Sequence, residues 1–92
     1  MPRGPGSVRG MTSKPQLDGH VAIVTGGSRG IGLALTRGYV ARGAKVVVSG
    51  RSQPHLDAVV AELGDAVAVV AGDVADRAVA DRLVQTAVVR FG

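Results

Sequence analysis

The chain has no cysteine and no tryptophan, and only one Tyr and one Phe among its 92 residues. Without thiols there can be no disulfide, Zn–thiolate site, Fe–S cluster or Cys nucleophile. A reducing compartment is compatible with that absence, and a cytoplasmic protein is expected. One Tyr and one Phe make no stacking platform for single-stranded nucleic acid. No apolar run approaches the roughly 18 residues that cross a bilayer, so no membrane partner is expected. The N-terminal region also lacks the apolar segment of a secretory signal. Acidic residues are the scarcer charge, 7 against 11 Lys and Arg, giving a net charge of +4 and a pI of about 10.7. Yet 46% of the residues are hydrophobic, too many for a disordered polyelectrolyte.

The positive charge is unevenly placed. Residues 1–16 carry Arg3, Arg9 and Lys14 and no acid, whereas residues 17–92 carry 8 bases and 7 acids, a net of +1. With three Gly, three Pro and no apolar period, residues 1–16 read as a flexible basic arm. Such an arm is ordinarily solvated, and no nucleic-acid partner is expected from it. Order is expected only after Leu17, which makes Met11 the expected start, with Met1 the alternative.

From His20 the pattern changes. Val21-Ala22-Ile23-Val24 is a short continuous apolar run closed by Thr25-Gly26-Gly27, the pattern of a strand buried on both faces. A helix is expected from about Gly30 to Arg42, with Ile31, Ala34, Leu35 and Gly38 on its inner face and Gly43 as its stop. Gly38 costs helix stability and suggests close approach of the helix to the sheet. Lys45–Ser49 is a second β-branched strand. Ser52 is the expected cap of a second helix, with Pro54 in its first turn and Leu56, Val59, Val60 and Leu63 facing inward up to Gly64. Ala66–Ala71 is a third apolar run. Asp76 is the candidate cap of a last helix with Ala80, Leu83, Val84, Ala87 and Phe91 on one face. The order β-α-β-α-β-α predicts an α/β fold, a parallel sheet with helices on its faces.

Between the first strand and first helix lies Thr25-Gly26-Gly27-Ser28-Arg29-Gly30-Ile31-Gly32. A helix N-terminus offers unpaired N–H groups and partial positive charge, which suit a pyrophosphate. Gly26 permits a sharp strand exit, Gly30 lets the backbone approach a ligand, and Gly32 lets the helix lie close to the strand. The G-x3-G-x-G spacing is neither G-x-G-x-x-G nor a Gly-Lys-Ser/Thr phosphate loop. A glycine cluster alone can be only a flexible turn; its position between a buried strand and an amphipathic helix is what points to phosphate. The second strand ends in Ser49-Gly50-Arg51-Ser52, with no acid to hold a ribose 2′-OH. Arg51, together with Arg29, suits a 2′-phosphate and favours NADP(H) over NAD(H), although either Arg alone could be a solvated cation. Asp73-Val74 follows the third strand, where an Asp can accept from an adenine amino group or simply cap a turn.

These residues resemble the short-chain dehydrogenase/reductase family. The likeness runs through Val21–Gly32, Val46–Arg51, Gly72-Asp73-Val74 and the closing Arg90-Phe91-Gly92, and covers about residues 17–92. It implies a Rossmann-type doubly wound sheet of which residues 17–92 are the N-terminal β-α-β-α-β-α portion. It also implies a cofactor site made of Gly26, Ser28, Arg29, Gly30, Ile31, Gly32, Arg51, Asp73 and Val74. In it Ser28 and Arg29 touch the ribose phosphate, Ile31 offers its backbone near the pyrophosphate, Arg51 selects NADP, and Asp73 and Val74 meet the adenine. Members run to roughly 250 residues, a full doubly wound domain. They continue into an Asn-Ala-Gly strand, a catalytic Ser and a Tyr-x3-Lys pair, none of which occurs here, so no catalytic residue is expected in this chain. Tyr39 is followed three residues later by Arg42 and then by Gly43 rather than Lys, and reads as packing. His20 and His55 read as surface or capping residues. The expected function is that of an NADP(H)-dependent oxidoreductase represented by its dinucleotide-binding part; the alternative is a non-catalytic dinucleotide-binding module or truncated product acting by association. A fourth strand, which in the family pairs with the first, is absent, and the exposed edge of Val21–Val24 is expected to promote self-association.

Overall fold

The structure, a computed structural model, describes residues 17–92; the arm of residues 1–16 and the question of Met1 or Met11 lie outside them. The elements are β1 (Val21–Thr25), α1 (Gly30–Ala41), β2 (Lys45–Gly50), α2 (Gln53–Leu63), a 3₁₀ turn (Gly64–Ala66), β3 (Val67–Ala71) and α3 (Arg77–Phe91). The strands form one parallel sheet in the order β1-β2-β3. Val21 pairs with Lys45 and Thr25 with Ser49, while Val46 pairs with Val67 and Gly50 with Ala71. The strands thus run in near-level register and end together, which brings their three following loops to one side of the molecule.

Sheet alternation divides the core into two layers. Val46 and Val48 of β2 point to one face with Val24 and Val67, under Leu56 and Val59 of α2 and Leu33, Tyr39 and Val40 of α1. Val47 points to the other face with Val70, under Val79 and Leu83 of α3, with Ala87 and Phe91 beside them. Val46, Val47 and Val48 are wholly buried. A continuous apolar run, rather than an alternating one, is what a strand covered on both faces requires. Tyr39 packs in the core, as expected from its place in α1.

Helix α1 presents a different face to the sheet from the one its spacing predicts. Ile31 and Leu35 are exposed, at 82% and 48%, and Ala34 and Gly38 are exposed with them. The inner face is instead Leu33, Thr36, Tyr39 and Val40. Two observations explain the rotation. Gly32 lies against the Gly26 carbonyl, where no Cβ could fit. Thr36, wholly buried, donates to the Gly32 carbonyl at 2.9 Å and reaches the Gly27 carbonyl at 3.4 Å. The glycine loop therefore sets the rotation of the helix, and apolar residues on both faces left periodicity unable to choose. Gly38, where a Cβ would meet nothing within 4 Å, makes no close approach to the sheet.

The other helices follow the sequence more closely. After α1, Gly43 N–H donates to Val40 O and Ala44 N–H to Tyr39 O, the paired bonds of a Schellman stop. On α2, Leu56 and Val59 are buried while Val60 is 39% exposed. Ser52 occupies the N-cap position of α2 but its side chain makes no capping bond. Pro54 supplies the reason in part, because it removes one of the two N–H groups that a cap serves. Asp76 caps α3 as expected, accepting from Ala78 N–H at 2.9 Å. Val84, expected inside, is 58% exposed. Between α1 and α2, Arg37 makes a bidentate pair with Glu62, at 2.7 and 2.9 Å.

Candidate cofactor site

The three loops that leave the carboxyl ends of the strands enclose an open cleft of about 510 Å³. After β1 it is lined by Gly26, Ser28 and Arg29, with Thr25 at the strand end. After β2 come Ser49, Gly50, Arg51 and Ser52, then His55 from the first turn of α2. After β3 come Gly72, Asp73 and Val74. Six of the residues expected in the site therefore meet in one cavity: Gly26, Ser28, Arg29, Arg51, Asp73 and Val74. The other three, Gly30, Ile31 and Gly32, form the first turn of α1 behind it and do not line it.

Loop geometry explains the placement. Gly26 and Gly30 have φ of +69° and +61°, the left-handed region that side chains with a Cβ avoid. These two reversals carry the chain from the end of β1 into α1 within four residues. Gly27, which the spacing argument passed over, is held still more tightly. A Cβ there would lie 2.9 Å from Thr36 Oγ1 and 3.0 Å from side-chain methyls of Val24 and Val48. Its N–H donates to Ser49 O at 3.2 Å, extending the β1–β2 ladder into the loop. The Gly-Gly pair was the available clue, since two adjacent glycines at a strand end mark crowding as well as turning.

Helix α1 begins with neither a capping side chain nor an acid in its first turn. Its leading N–H groups and positive dipole end are thus left for an outside anion. Arg29 is the N-cap residue and is exposed. Arg51 is 3.8 Å from Asp73, with side chains 79% and 54% exposed, a loose pair in water. Asp73 takes the turn role expected of it and adds a contact with Arg51 that the sequence reading did not include. Its Oδ1 accepts from Ala75 N–H at 2.9 Å, closing a turn, while Oδ2 faces Arg51 across the cleft. His55 Nδ1 is buried without a hydrogen-bond partner. Among the described residues no group of three or more His, Cys, Asp or Glu could hold a metal ion.

Residues 20–92 match the family model of the short chain dehydrogenases. The chain belongs to this family. Among its relatives, a sorbitol dehydrogenase of Cereibacter sphaeroides is 40% identical over 77 residues, covering 84% of this chain and 30% of that protein. A 3-alpha-(or 20-beta)-hydroxysteroid dehydrogenase of Mycobacterium bovis is 46% identical over the same length, again covering 84% of this chain and 30% of that protein. Of the solved short-chain dehydrogenases, a 3-ketoacyl-(acyl-carrier-protein) reductase from Brucella melitensis complexed with NADH superposes with a TM-score of 0.79 at 36% identity, covering 84% of this chain and 32% of that one. A glucose/ribitol-type dehydrogenase from the same organism superposes equally well, at 31% identity over 86% of this chain and 34% of the other. The parallel sheet with its flanking helices is therefore the N-terminal portion of the Rossmann-type short-chain dehydrogenase fold. The chain spans about a third of the length of these relatives. No helix among the described residues is long and apolar enough to cross a membrane.

Proposed function

We propose that this chain forms the NADP(H)-binding part of an oxidoreductase and that, by itself, it binds the dinucleotide without turning over a substrate. The observation that carries the reading is the pairing of an uncapped α1 N-terminus with two arginines, Arg29 and Arg51, around one cleft. The residues fit such a ligand. Open space lies beyond Gly30, so its backbone is accessible to a pyrophosphate, with Gly26 and the Ile31 N–H beside it. Gly32 positions that turn by its contact with Gly26. Ser28 and Arg29 reach the ribose phosphate, Arg51 holds the 2′-phosphate by charge-assisted hydrogen bonds, and Asp73 and Val74 receive the adenine. The chemistry such a cofactor would supply to the complete enzyme is hydride transfer. The protein's own part is to hold and orient the cofactor, because Tyr39 is committed to the core and Lys45 opens β2.

The adenine-bearing half of the cofactor is the half these residues reach. The Ser, Tyr and Lys that would protonate a carbonyl are not among them. Residues 1–16 are read as a basic arm and residues 17–92 as a partial NAD(P)-binding domain, acting in the cytoplasm, with no nucleic-acid or membrane partner. The alternative, a non-catalytic module that acts by association, draws support from the unpaired outer edge of β1, which a second copy of the chain would cover.

Titration of the 92-residue chain with NADPH and NADH, followed by nucleotide fluorescence, tests the reading. NADPH is expected to bind at least tenfold tighter, and Arg51→Gln to remove most of that margin, consistent with the worth of a charged hydrogen bond. Equal or tighter binding of NADH overturns the NADP assignment. Oxidation of NADPH by this chain with a simple ketone overturns the claim that it has no turnover.

A further inference from the structure

His55 lies outside every expectation drawn from the glycine loop and the strand ends. It occupies the third position of α2, and its ring lines the same cleft as Arg29, Arg51 and Asp73. Its Nδ1 is buried with no partner, and its ring makes no hydrogen bond among the described residues. It makes no capping bond, and it stands partly exposed on the cleft wall with one ring nitrogen buried. A buried imidazole nitrogen without a partner is costly, and such groups in native proteins call for an explanation. No hydrogen bond fixes the ring on the cleft wall.

We infer that His55 is a specificity-determining residue that engages the ribose 2′-phosphate of NADP(H) together with Arg51. The inference rests on the NADP(H) reading above. Arg51 and Ser52 lie next to His55 on the cleft wall, and Ser52 leaves its side chain unengaged by the helix. An anion placed there meets a guanidinium, a hydroxyl and an imidazole from one short stretch of chain. Among the described residues the one acid lining the cleft is Asp73, which faces Arg51 and already serves the Ala75 N–H. Asp57, on the same helix, is engaged by Gln53 at 2.9 Å. A phosphate is held more tightly by an imidazolium than by an imidazole, and histidine changes charge at about pH 5 to 8, so the contact is expected to count for more as the pH falls through that range.

Isothermal titration of the 92-residue chain and its His55→Gln and His55→Arg variants with NADP⁺ and NAD⁺, at pH 6 and pH 8, tests this. The phosphate also titrates near pH 6, and the Gln variant isolates its share. His55→Gln is expected to weaken NADP⁺ about tenfold at pH 6 and much less at pH 8, with NAD⁺ unchanged. His55→Arg is expected to restore NADP⁺ binding at both pH values. With only two histidines in the chain, the His55 ring resonances can be assigned with His20→Gln, and adenosine 2′-monophosphate is expected to move them where the 5′-monophosphate does not. If the wild type prefers NAD⁺, the NADP(H) reading falls and this one with it. If the wild type prefers NADP⁺ and His55→Gln either leaves that preference intact or weakens both cofactors equally, the His55 assignment alone is overturned.

Discussion

Two glycines of α1 look alike in the sequence and are opposites in the fold. At Gly32 a Cβ would run into the Gly26 carbonyl, a backbone atom that cannot give way without moving the loop. At Gly38 it would meet nothing. Gly32→Ala is expected to destabilise the chain by about 1–3 kcal/mol, the usual cost of overpacking, and to weaken dinucleotide binding. Gly38→Ala is expected to stabilise it by about 0.5–1 kcal/mol, since alanine loses less entropy in a helix. Urea unfolding of both variants measures the pair; equal effects would contradict the contact assigned to Gly32. The role of Gly32 was legible from its spacing to Gly26 and Gly30. That of Gly38 was not, because a glycine at a core-spaced position reads the same whether the helix turns it in or out. The place of His55 was only half legible for a similar reason: its position in a first turn is visible in the sequence, but the cavity beside it is made by residues from three separate loops.

At the scale of elements, every strand and helix was legible, and their ends fell within a few residues of the expected ones. Continuous Val-rich runs and glycine stops carry that information. The rotation of α1 was the exception. Its helix bears apolar residues all round, and the choice between the Ile31–Leu35 face and the Leu33–Val40 face is made by the Thr36 and Gly32 contacts, which are tertiary. The clamp between α1 and α2 is likewise a product of that rotation, since it brings Arg37 to Glu62. Hydrogen bonding to Arg37 holds the Glu62 carboxyl below its ordinary range, against a smaller opposing effect of burial. A carboxyl lowered in the folded state adds stability above its unfolded pKa and loses it as pH falls through the folded value. Glu62→Gln is therefore expected to lower the Tm at pH 7, and the gap to the wild type is expected to close as the pH falls below the carboxylate range. Both residues are about half exposed, so added salt is expected to narrow the gap as well. A gap that persists unchanged at low pH would show that the ion pair is not its source.

At the scale of the molecule, the two layers are unequally covered. Among the described residues, two helices lie on one face of the sheet and α3 alone on the other, where Ile23 and Val21 of β1 remain 43% and 36% exposed. Val84 and Val88 of α3 are exposed as well. Parallel sheets ordinarily have both faces covered and their edges managed. Concentration-dependent association is expected, visible by sedimentation velocity, and Ile23→Lys is expected to shift the population toward monomer. A chain that stays monomeric across the accessible concentrations would remove the support for action by association. The unpaired edge of β1 matches the expectation for that strand, while the exposed side of α1 was not foreseen.

Strand β2 joins these scales. Val46, Val47 and Val48 are the centre of both core layers, and Ser49 and Gly50, the next two residues, are cleft wall. Whatever binds in the cleft therefore rests on the last residues of the strand around which the protein folds. A ligand held only by the folded state shifts the folding equilibrium by mass action, by about 2.7 kcal/mol at a hundredfold excess over its Kd. That is a large fraction of the stability of a domain this small. The nucleotide would then complete the fold as much as occupy it, and the population of folded chain would follow the concentration of cofactor.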